Sequence, residues 1–489
     1  MRRKRNPLAS GVTCGEPQLN LEHMRPGNAA GLLAAFQYTV LGLGLFCGIT
    51  AYPADEPIRL ITLDPGHFHA ALFQKEMLPG VASRVHVYAP AGPDLSAHLQ
   101  RVDQFNSRAQ NPTLWQLEVH TGPDFMQRML AEHPGNVVVL SGNNRGKADR
   151  IKDLVGAGFH VLADKPWIIE PEELPALEES LNLAEAKNLA AYDAMTQRFE
   201  ITCILTRELV QDAEVFGQCL GGSPDNPGVQ MESVHYFIKE VAGAALVRPP
   251  WFFDVGQQGE GLADVGTHLV DLVQWTLFPK QAVDYRRDIA VLRGAHWPTS
   301  VSLVQFQRVT GEKVFPAGLE AAVRNGSLEC FANNKVSYRI RGIHVNLEVK
   351  WGLEAPPGAK DTEFAAFRGT RSRIEVRQGP EEQFIPEVYV IPSRSELKTE
   401  VSTALQRKLE VMQQSRPGLS VRKEGERLRL VIPAEHRVSH EAHFALLTKR
   451  FLDFVRNPKS MPAWEKPNMF AKYFVTTQGV KLARENKDR

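Results

Sequence analysis

The sequence predicts an α/β fold in the N-terminal part of the chain, with a doubly wound parallel sheet, followed by an α+β domain. Between residues 58 and 194, short apolar runs alternate with helical segments and polar turns. This alternation requires parallel strands joined by crossover helices. Beyond residue 275, segments of alternating polarity are typical of strands with one solvated face.

Composition excludes several classes of protein. The chain has 489 residues, of which 43% are hydrophobic and 23% charged, enough for two domains with hydrophobic cores. Its formal net charge of +1 gives no electrostatic basis for a nucleic-acid partner. The five cysteines form no CxxC pair, so neither disulfides nor a zinc site is predicted.

Residues 1–54 differ from the rest of the chain. A basic start, Arg2–Arg5, precedes an uncharged apolar run over residues 29–51 that ends in small residues. This pattern predicts a bacterial secretory signal, cleaved after Ala51, and hence a periplasmic or extracellular protein. Translation from Met24 would give the short basic region that such signals have. An uncleaved membrane anchor is the alternative, with no other membrane contact; without export, the protein is cytoplasmic.

The predicted nucleotide-binding domain covers residues 55–195, and the second domain residues 196–489. The strands of the first domain are predicted at residues 58–63, 85–88, 115–120, 137–141, 159–163 and 189–194. Its helices are predicted at residues 70–77, 95–108, 124–131, 147–157 and 171–187. A sheet of this type binds ligands at the carboxyl ends of its strands.

Three of those carboxyl ends carry chemically distinctive residues. After the first strand, a dinucleotide site would have G-x-G-x-x-G, but the chain keeps only Gly66, with Asp64 and His69 at the other two positions. An ordinary strand–helix turn explains that segment equally well. Residues 141–144 are small and polar. Lys165, held between Asp164 and a proline, suits acid–base chemistry, although a surface lysine in a turn is the commoner situation.

Residues 258–275 predict an amphipathic helix with a chemically active face. Asp264, His268 and Asp271 stand at i, i+4 and i+7, so they share one face. The core face is formed by Leu262, Val265, Leu269 and Leu272. An imidazole between carboxylates can hold a substrate hydroxyl and accept its proton. Alternatively, Asp264 stabilises the helix N-terminus and His268 is a surface residue.

Together, GFHVLADKP at residues 158–166 and GEGLADVGTHLVDLVQW at residues 259–275 resemble the glucose–fructose oxidoreductase/inositol dehydrogenase (Gfo/Idh/MocA) family. That family carries Glu-Lys-Pro at the strand end and Asp-x-Gly-x-His-x-x-Asp in the helix. Asp164 replaces the glutamate, and the second motif matches at every position. Residues 64–72, 248–255, 464–468 and 471–473 resemble a branch with its own C-terminal domain and no firm substrate.

The resemblance implies an N-terminal Rossmann domain that holds NAD or NADP. It also implies a C-terminal domain with a large, open, mostly antiparallel sheet that forms a homo-oligomer. Segments that fit this sheet lie at residues 300–306, 327–331, 336–340, 345–351, 373–376 and 428–432, with helices at 442–455 and 471–483. Residues 378–415 are predicted as loop and surface helix.

The resemblance also implies the roles of individual residues. Lys165 would lie beside the nicotinamide and bond the reacting oxygen, while His268, near its pKa at neutral pH, would accept the proton and Asp264 would orient the substrate. The predicted cofactor contacts are Gly66, His67, Phe68, Ser141, Asn143, Asn144, Asp164, Lys165 and Pro166. The predicted substrate contacts are His235, Tyr236, Trp251 and Asp271. Asp94 is a possible ribose contact, and NAD cannot be told from NADP.

The predicted function is therefore hydride transfer to or from a secondary alcohol of a sugar, sugar acid, glycoside or cyclitol. Two alternatives stay open: an NAD-dependent glycosidase that oxidises transiently and eliminates the glycosidic oxygen, and a non-catalytic dinucleotide-binding protein. No metal site is predicted, because His440 and His443 stand at i, i+3 and lack the HExxH pattern.

Overall fold

A six-stranded parallel sheet forms from the N-terminal apolar runs. In the computed structural model, which describes residues 57–241 and 244–486, its strand order is β3-β2-β1-β4-β5-β6. The elements are β1 (Leu60–Leu63), α1 (His69–Leu72), β2 (Arg84–Ala89), α2 (Pro93–Ser107), β3 (Gln116–Thr121), α3 (Phe125–Glu132), β4 (Val137–Leu140), α4 (Lys147–Gly156), β5 (His160–Ala163), α5 (Leu174–Ala186) and β6 (Ala191–Asp193). The doubly wound sheet is confirmed. Helix α1 is shorter than predicted, since it ends at Leu72.

A ten-stranded sheet dominates the rest of the chain. Its order is β10-β12-β13-β7-β14-β15-β16-β18-β17, with β11 paired to β12, and all these neighbours are antiparallel except β13 and β7. The strands described in this part of the chain, ten in the large sheet and two outside it, are β7 (Val229–Ile238), β8 (Glu240–Val241), β9 (Ala244–Ala245), β10 (Ile289–Ser302), β11 (Val323–Arg324), β12 (Ser327–Ile340), β13 (Ile343–Glu354), β14 (Thr362–Arg368), β15 (Ser372–Gln378), β16 (Glu387–Pro392), β17 (Ser420–Glu424) and β18 (Arg427–Val431). Strands β8 and β9 pair only with each other.

Nine helices accompany this sheet in the described part of the chain. They are α6 (Ile201–Val210), α7 (Val255–Gln258), α8 (Gly261–Asp264), α9 (Gly266–Leu277), α10 (Tyr285–Asp288), α11 (Leu303–Thr310), α12 (Lys398–Met412), α13 (His440–Arg456) and α14 (Glu465–Glu485). The predicted fold class, a Rossmann-type sheet plus a large, mostly antiparallel sheet, is confirmed.

Several boundaries in the second sheet were predicted wrongly. The strand predicted at residues 300–306 ends at Ser302, because Ser302 and Gln305 form a reciprocal capping box that starts α11. Segments 327–331 and 336–340 are one continuous strand, β12. Residues 378–415, predicted without strands, contain β16. Strands β7, β14 and β17 were not predicted at all.

Helix α13 returns to the N-terminal sheet from the far end of the chain. Its side chains Phe444, Leu447 and Phe451 belong to the same apolar cluster as Leu60 and Val85. Burying these aromatic and aliphatic side chains stabilises the fold by about 1.5–3 kcal/mol each. The two ends of the described chain therefore share one core.

The predicted signal or anchor segment, residues 1–54, lies outside the described residues. Among the residues that the structure describes, no helix is long and apolar enough to cross a membrane.

Candidate active site

Lys165 and Asp264 meet at the carboxyl edge of the parallel sheet. Lys165 follows β5, and Asp264 closes α8, so an ion pair between them joins the two sequence motifs. Each side chain keeps about a tenth of its surface exposed. Burial would raise the pKa of Asp264, but the adjacent Lys165 ammonium lowers it below its ordinary value. Solvent or a ligand can therefore still reach the Lys165–Asp264 pair.

The motif helix is buried on every side, and it packs against β12, β13, α6 and α14. It consists of two segments, α8 and α9, separated at Val265. His268 is only 8% exposed, and its Nδ1 has no hydrogen-bond partner. Burial, and next the charge of Lys165, hold the pKa of His268 well below its usual range. The expectation that His268 titrates near neutral pH is wrong, and its ring is neutral there.

Asp271 lies apart from this pair, in a saturated ionic network. Arg198 donates to both Asp271 oxygens, at 2.7 and 2.6 Å, and Lys472 donates at 3.2 Å. Arg198 also binds both oxygens of Glu465, and Lys472 contacts Asp193 at 2.6 Å. With its carboxylate fully engaged and 2% exposed, Asp271 cannot contact a substrate as predicted, and its role is structural.

Asp164 is held from several directions. Ser141 Oγ donates to Asp164 Oδ2 at 2.7 Å, and Lys147 Nζ donates to Oδ1 at 2.7 Å. Burial alone would raise the pKa of Asp164, but the buried Lys147 ammonium, followed by His67 and His69, holds it well below the usual range. Since Ser141 is completely buried and committed to Asp164, it cannot contact a cofactor directly.

The turn after β1 differs from a glycine-rich dinucleotide loop both in its sequence and in the side chains that contact it. Asp64 adopts a positive φ of 48°, and Arg150 Nη1 bonds its carboxylate at 3.0 Å. A Cβ placed on Gly66 would lie 3.3 Å from Asp94 Oδ2 and 3.5 Å from Trp251 Cζ2. Trp251 Nε1 donates to the same Asp94 oxygen at 3.0 Å. Trp251, predicted as a substrate contact, therefore lies against the predicted cofactor turn.

The loop after β4 is tied to the segment before the motif helix. Asn143 Nδ2 donates to Gln257 Oε1 at 2.5 Å, and Asn144 Nδ2 donates to the carbonyl of Gln258 at 2.8 Å. Asn144 is buried and also accepts from Lys147, which leaves no free group for a cofactor. Asn143 stays partly exposed. Pro166 is buried and can offer only its ring to a ligand.

His235 lies on the second sheet, close enough to Asp264 to lower its pKa. Its Nε2 lies 2.9 Å from Ser233 Oγ, and its Nδ1 lies 2.9 Å from Asp361. Tyr236 is partly exposed, and a Cβ on Gly352 would come within 2.8 Å of its ring, so it covers the β13 backbone.

The predicted site did not include four residues near the pair or near its neighbour His235: Lys147, Arg248, Asp361 and His440. Lys147 is completely buried, and Arg248 is 6% exposed, bonded to the carbonyls of residues 236 and 237. His440, at the start of α13, lies 6.1 Å from the His69 ring between centroids. The segment that contains Arg248 could be recognised in the sequence. The burial of Lys147 could not, because no residue near it in the sequence indicates a buried lysine.

The crevice between β1 and β4 is the topological switch point of the sheet, where a dinucleotide binds in folds of this type. The predicted cofactor residues that keep partial exposure there are Gly66, His67, Phe68, Asn143 and Lys165. The Nδ1 atom of His268 is a further polar atom that is buried and has no hydrogen-bond partner in the protein. These groups fit a nicotinamide dinucleotide on the Lys165 side. Because the Trp251 ring lies directly against Gly66, a dinucleotide bound at this turn would either displace that ring or stack on it.

Comparison with known proteins identifies relatives over most of the chain. A family model described as "Putative oxidoreductase C terminal domain" matches residues 205–484. A putative oxidoreductase from Parabacteroides merdae ATCC 43184 is 43% identical, with a TM-score of 0.86, over 88% of this chain and 98% of its own. No curated protein matches the chain.

More distant solved structures share the fold. A putative oxidoreductase from Thermotoga maritima is 12% identical, with a TM-score of 0.55, over 88% of this chain and 99% of its own. A levoglucosan dehydrogenase, solved with NADH and L-sorbose, is 13% identical, with a TM-score of 0.55, over 87% of this chain and 97% of its own.

Proposed function

This chain belongs to the Gfo/Idh/MocA-type oxidoreductases, and we propose that it transfers a hydride between NAD(P) and a secondary alcohol of a sugar-like substrate. The observation that carries the proposal is the Lys165–Asp264 ion pair, which brings residues from two distant motifs together at the ligand-binding edge of the sheet. The levoglucosan dehydrogenase solved with NADH and a sugar supports the same cofactor and substrate class.

In this proposal each polar group has a separate task. Lys165 Nζ bonds the reacting oxygen, and its positive charge stabilises the alkoxide that develops there. Asp264 positions that lysine through their ion pair. His268, neutral at pH 7, takes the hydroxyl proton as the alcohol is oxidised and returns it in the reverse reaction. A bound nicotinamide supplies the hydride acceptor or donor.

The first test measures cofactor and turnover together in the full chain. Purified protein is denatured, and the released NAD(H) and NADP(H) are quantified. The native protein is then screened with sugars, sugar acids and glycosides for formation of reduced cofactor and for release of aglycone. We expect stoichiometric dinucleotide and a substrate whose turnover falls about 100- to 1,000-fold in Lys165→Met.

Lys152→Met is the matched control, because Lys152 pairs with two exposed carboxylates on the surface, those of Asp149 and Glu179. It should keep full turnover. Protein that neither contains nor binds a dinucleotide would contradict the proposal, and so would equal activity in Lys165→Met and wild type. Release of aglycone without net reduced cofactor would identify the glycosidase alternative.

A further inference from the structure

Three side chains at the crevice converge on one point: His67, His69 and Asp164. The Nδ1 atoms of both histidines lie 3.4 Å from the same oxygen, Asp164 Oδ2. One potential ligand atom from each residue lies within 4.8 Å of the other two. His69 is 9% exposed and Asp164 is 3% exposed, so the cluster is built into the protein interior.

Hydrogen bonding does not explain this convergence. Neither Nδ1 has a hydrogen-bond partner, although both atoms are buried from solvent. Asp164 Oδ2 already accepts a bond from Ser141 at 2.7 Å. Distances of 3.4 Å exceed the usual range of about 2.7–3.2 Å for N–H···O bonds. Two buried imidazole nitrogens are therefore left unsatisfied around one carboxylate oxygen, an arrangement that is costly unless something binds there.

The spacing suits a metal ion. Ligands about 2.1 Å from a tetrahedral zinc ion lie about 3.4 Å from one another, which is the nitrogen–oxygen separation here. Two imidazoles and one carboxylate form a common ligand set for zinc and similar first-row ions at catalytic sites. We propose that His67, His69 and Asp164 bind one divalent transition-metal ion, of which Zn²⁺ is the representative.

The residues around the three proposed ligands support the proposed metal site. Lys147 and Ser141 fix the carboxylate of Asp164, as second partners commonly orient metal ligands. His67 keeps 17% of its side chain exposed, which leaves a route from solvent to the remaining coordination positions. A site with three protein ligands and an open position is typical of metals that meet a substrate.

A second group of the same composition lacks these properties. His86, Glu118 and His120 also lie within reach of one another. There, however, His86 Nδ1 lies 3.3 Å from His120 Nε2, so the two rings satisfy each other. Glu118 keeps 47% of its side chain exposed. This group needs no ion, and it provides a matched control.

The test uses the full chain without a histidine tag. Protein is stripped with a chelator and dialysed, and Zn²⁺ binding is measured by calorimetry and elemental analysis in wild type, His67→Asn, His69→Gln, Ser141→Ala and His120→Asn. We expect one zinc per wild-type chain and an affinity about 10- to 100-fold weaker in Ser141→Ala. His67→Asn and His69→Gln should weaken it further, and His120→Asn should match wild type.

Failure would be clear in these measurements. Absence of zinc binding to folded wild-type protein would overturn the proposal, as would equal affinity in wild type and both ligand variants. Circular dichroism of each variant separates lost binding from lost folding. The inference goes beyond hydride transfer, and dinucleotide content measured in the same preparations shows which of the two proposals fails.

Discussion

Two buried ionic clusters lie along the same helical segment and differ in how completely they are paired. At its start, Asp264 has one ionic partner, Lys165, and each keeps about a tenth of its side chain exposed. Two turns later, Asp271 lies between Arg198 and Lys472, which bind Glu465 and Asp193 in turn, and none of these side chains is more than 4% exposed.

The difference lies in the capacity that each carboxylate has left for a ligand. Both are acidic, buried and on the same helix face, so neither burial nor charge separates them. Asp271 has no remaining capacity for a ligand, whereas the Lys165–Asp264 pair retains an accessible side. Under the proposed function, a carboxylate with few internal partners is the one that remains available to act on a substrate.

The largest expected effect comes from breaking the saturated cluster. In Asp271→Asn, Arg198 and Lys472 lose their shared counter-ion inside the protein. We expect the free energy of unfolding to fall by about 3–5 kcal/mol. Urea denaturation measures this. A loss below 1 kcal/mol would mean that water or Glu465 compensates, and that the cluster is less saturated than its contacts indicate.

The second prediction concerns the open pair. Asp264→Asn should reduce turnover by about 100-fold, because Lys165 loses the group that positions it, while stability falls less than in Asp271→Asn. Steady-state kinetics measures the loss of turnover, and urea denaturation of the same protein measures the loss of stability. If Asp264→Asn destabilises the fold as much as Asp271→Asn without affecting turnover, the distinction between the two clusters fails.

His98 extends the comparison to a buried titratable group that has no hydrogen-bond partner at all. His98 in α2 is 2% exposed, and neither ring nitrogen is bonded. Burial, with a smaller effect of Arg101, lowers the pKa of His98 to about 4. Because the unfolded chain binds this proton near pH 6.5, stability is full above that pH and is lost as the pH falls toward 4.

We expect His98 to cost about 2 kcal/mol of stability between pH 7 and pH 5. His98→Leu should remove that part of the pH dependence, whereas His436→Asn, which changes a partly exposed ring, should retain it. Denaturation at the two pH values measures the difference. An unchanged pH dependence in His98→Leu would contradict the assignment.

The smallest effect is expected at the surface. Lys152 and Glu179 lie 3.3 Å apart, with Glu179 65% exposed. Glu179→Gln should change the free energy of unfolding by no more than about 0.5 kcal/mol. A larger loss, measured under the conditions used for Asp271→Asn, would show that pairing outside the buried clusters also contributes to stability.

Local sequence patterns were sufficient to predict the parallel sheet and to select Lys165 and Asp264 as site residues. Short apolar runs separated by turns identify buried parallel strands, and the motifs around Lys165 and Asp264 are compact enough to read directly. Strand β7 was missed although the turn residues 221–228 directly precede it, because the alternation of Val229 and Met231 is interrupted by the polar residue Ser233, which is completely buried.

Interactions between distant residues could not be read in the same way. Asp271 shares a helix face with Asp264, but its partners come from residues 198 and 472. Lys147 carries no local sign that its ammonium would be completely buried. His67 and His69 stand two residues apart, and their possible third ligand lies almost a hundred residues on. Only the fold decides which groups meet.

The packing of α13 against the N-terminal sheet also imposes an order on biosynthesis. Phe444, Leu447 and Phe451 leave the ribosome long after the strands that share their apolar cluster. Until they arrive, part of that sheet remains uncovered and needs a chaperone or rapid completion of the chain. A nonsense mutation within residues 432–439 would spare every described strand and both sequence motifs, yet its product would be an aggregation-prone polypeptide and not a shortened enzyme.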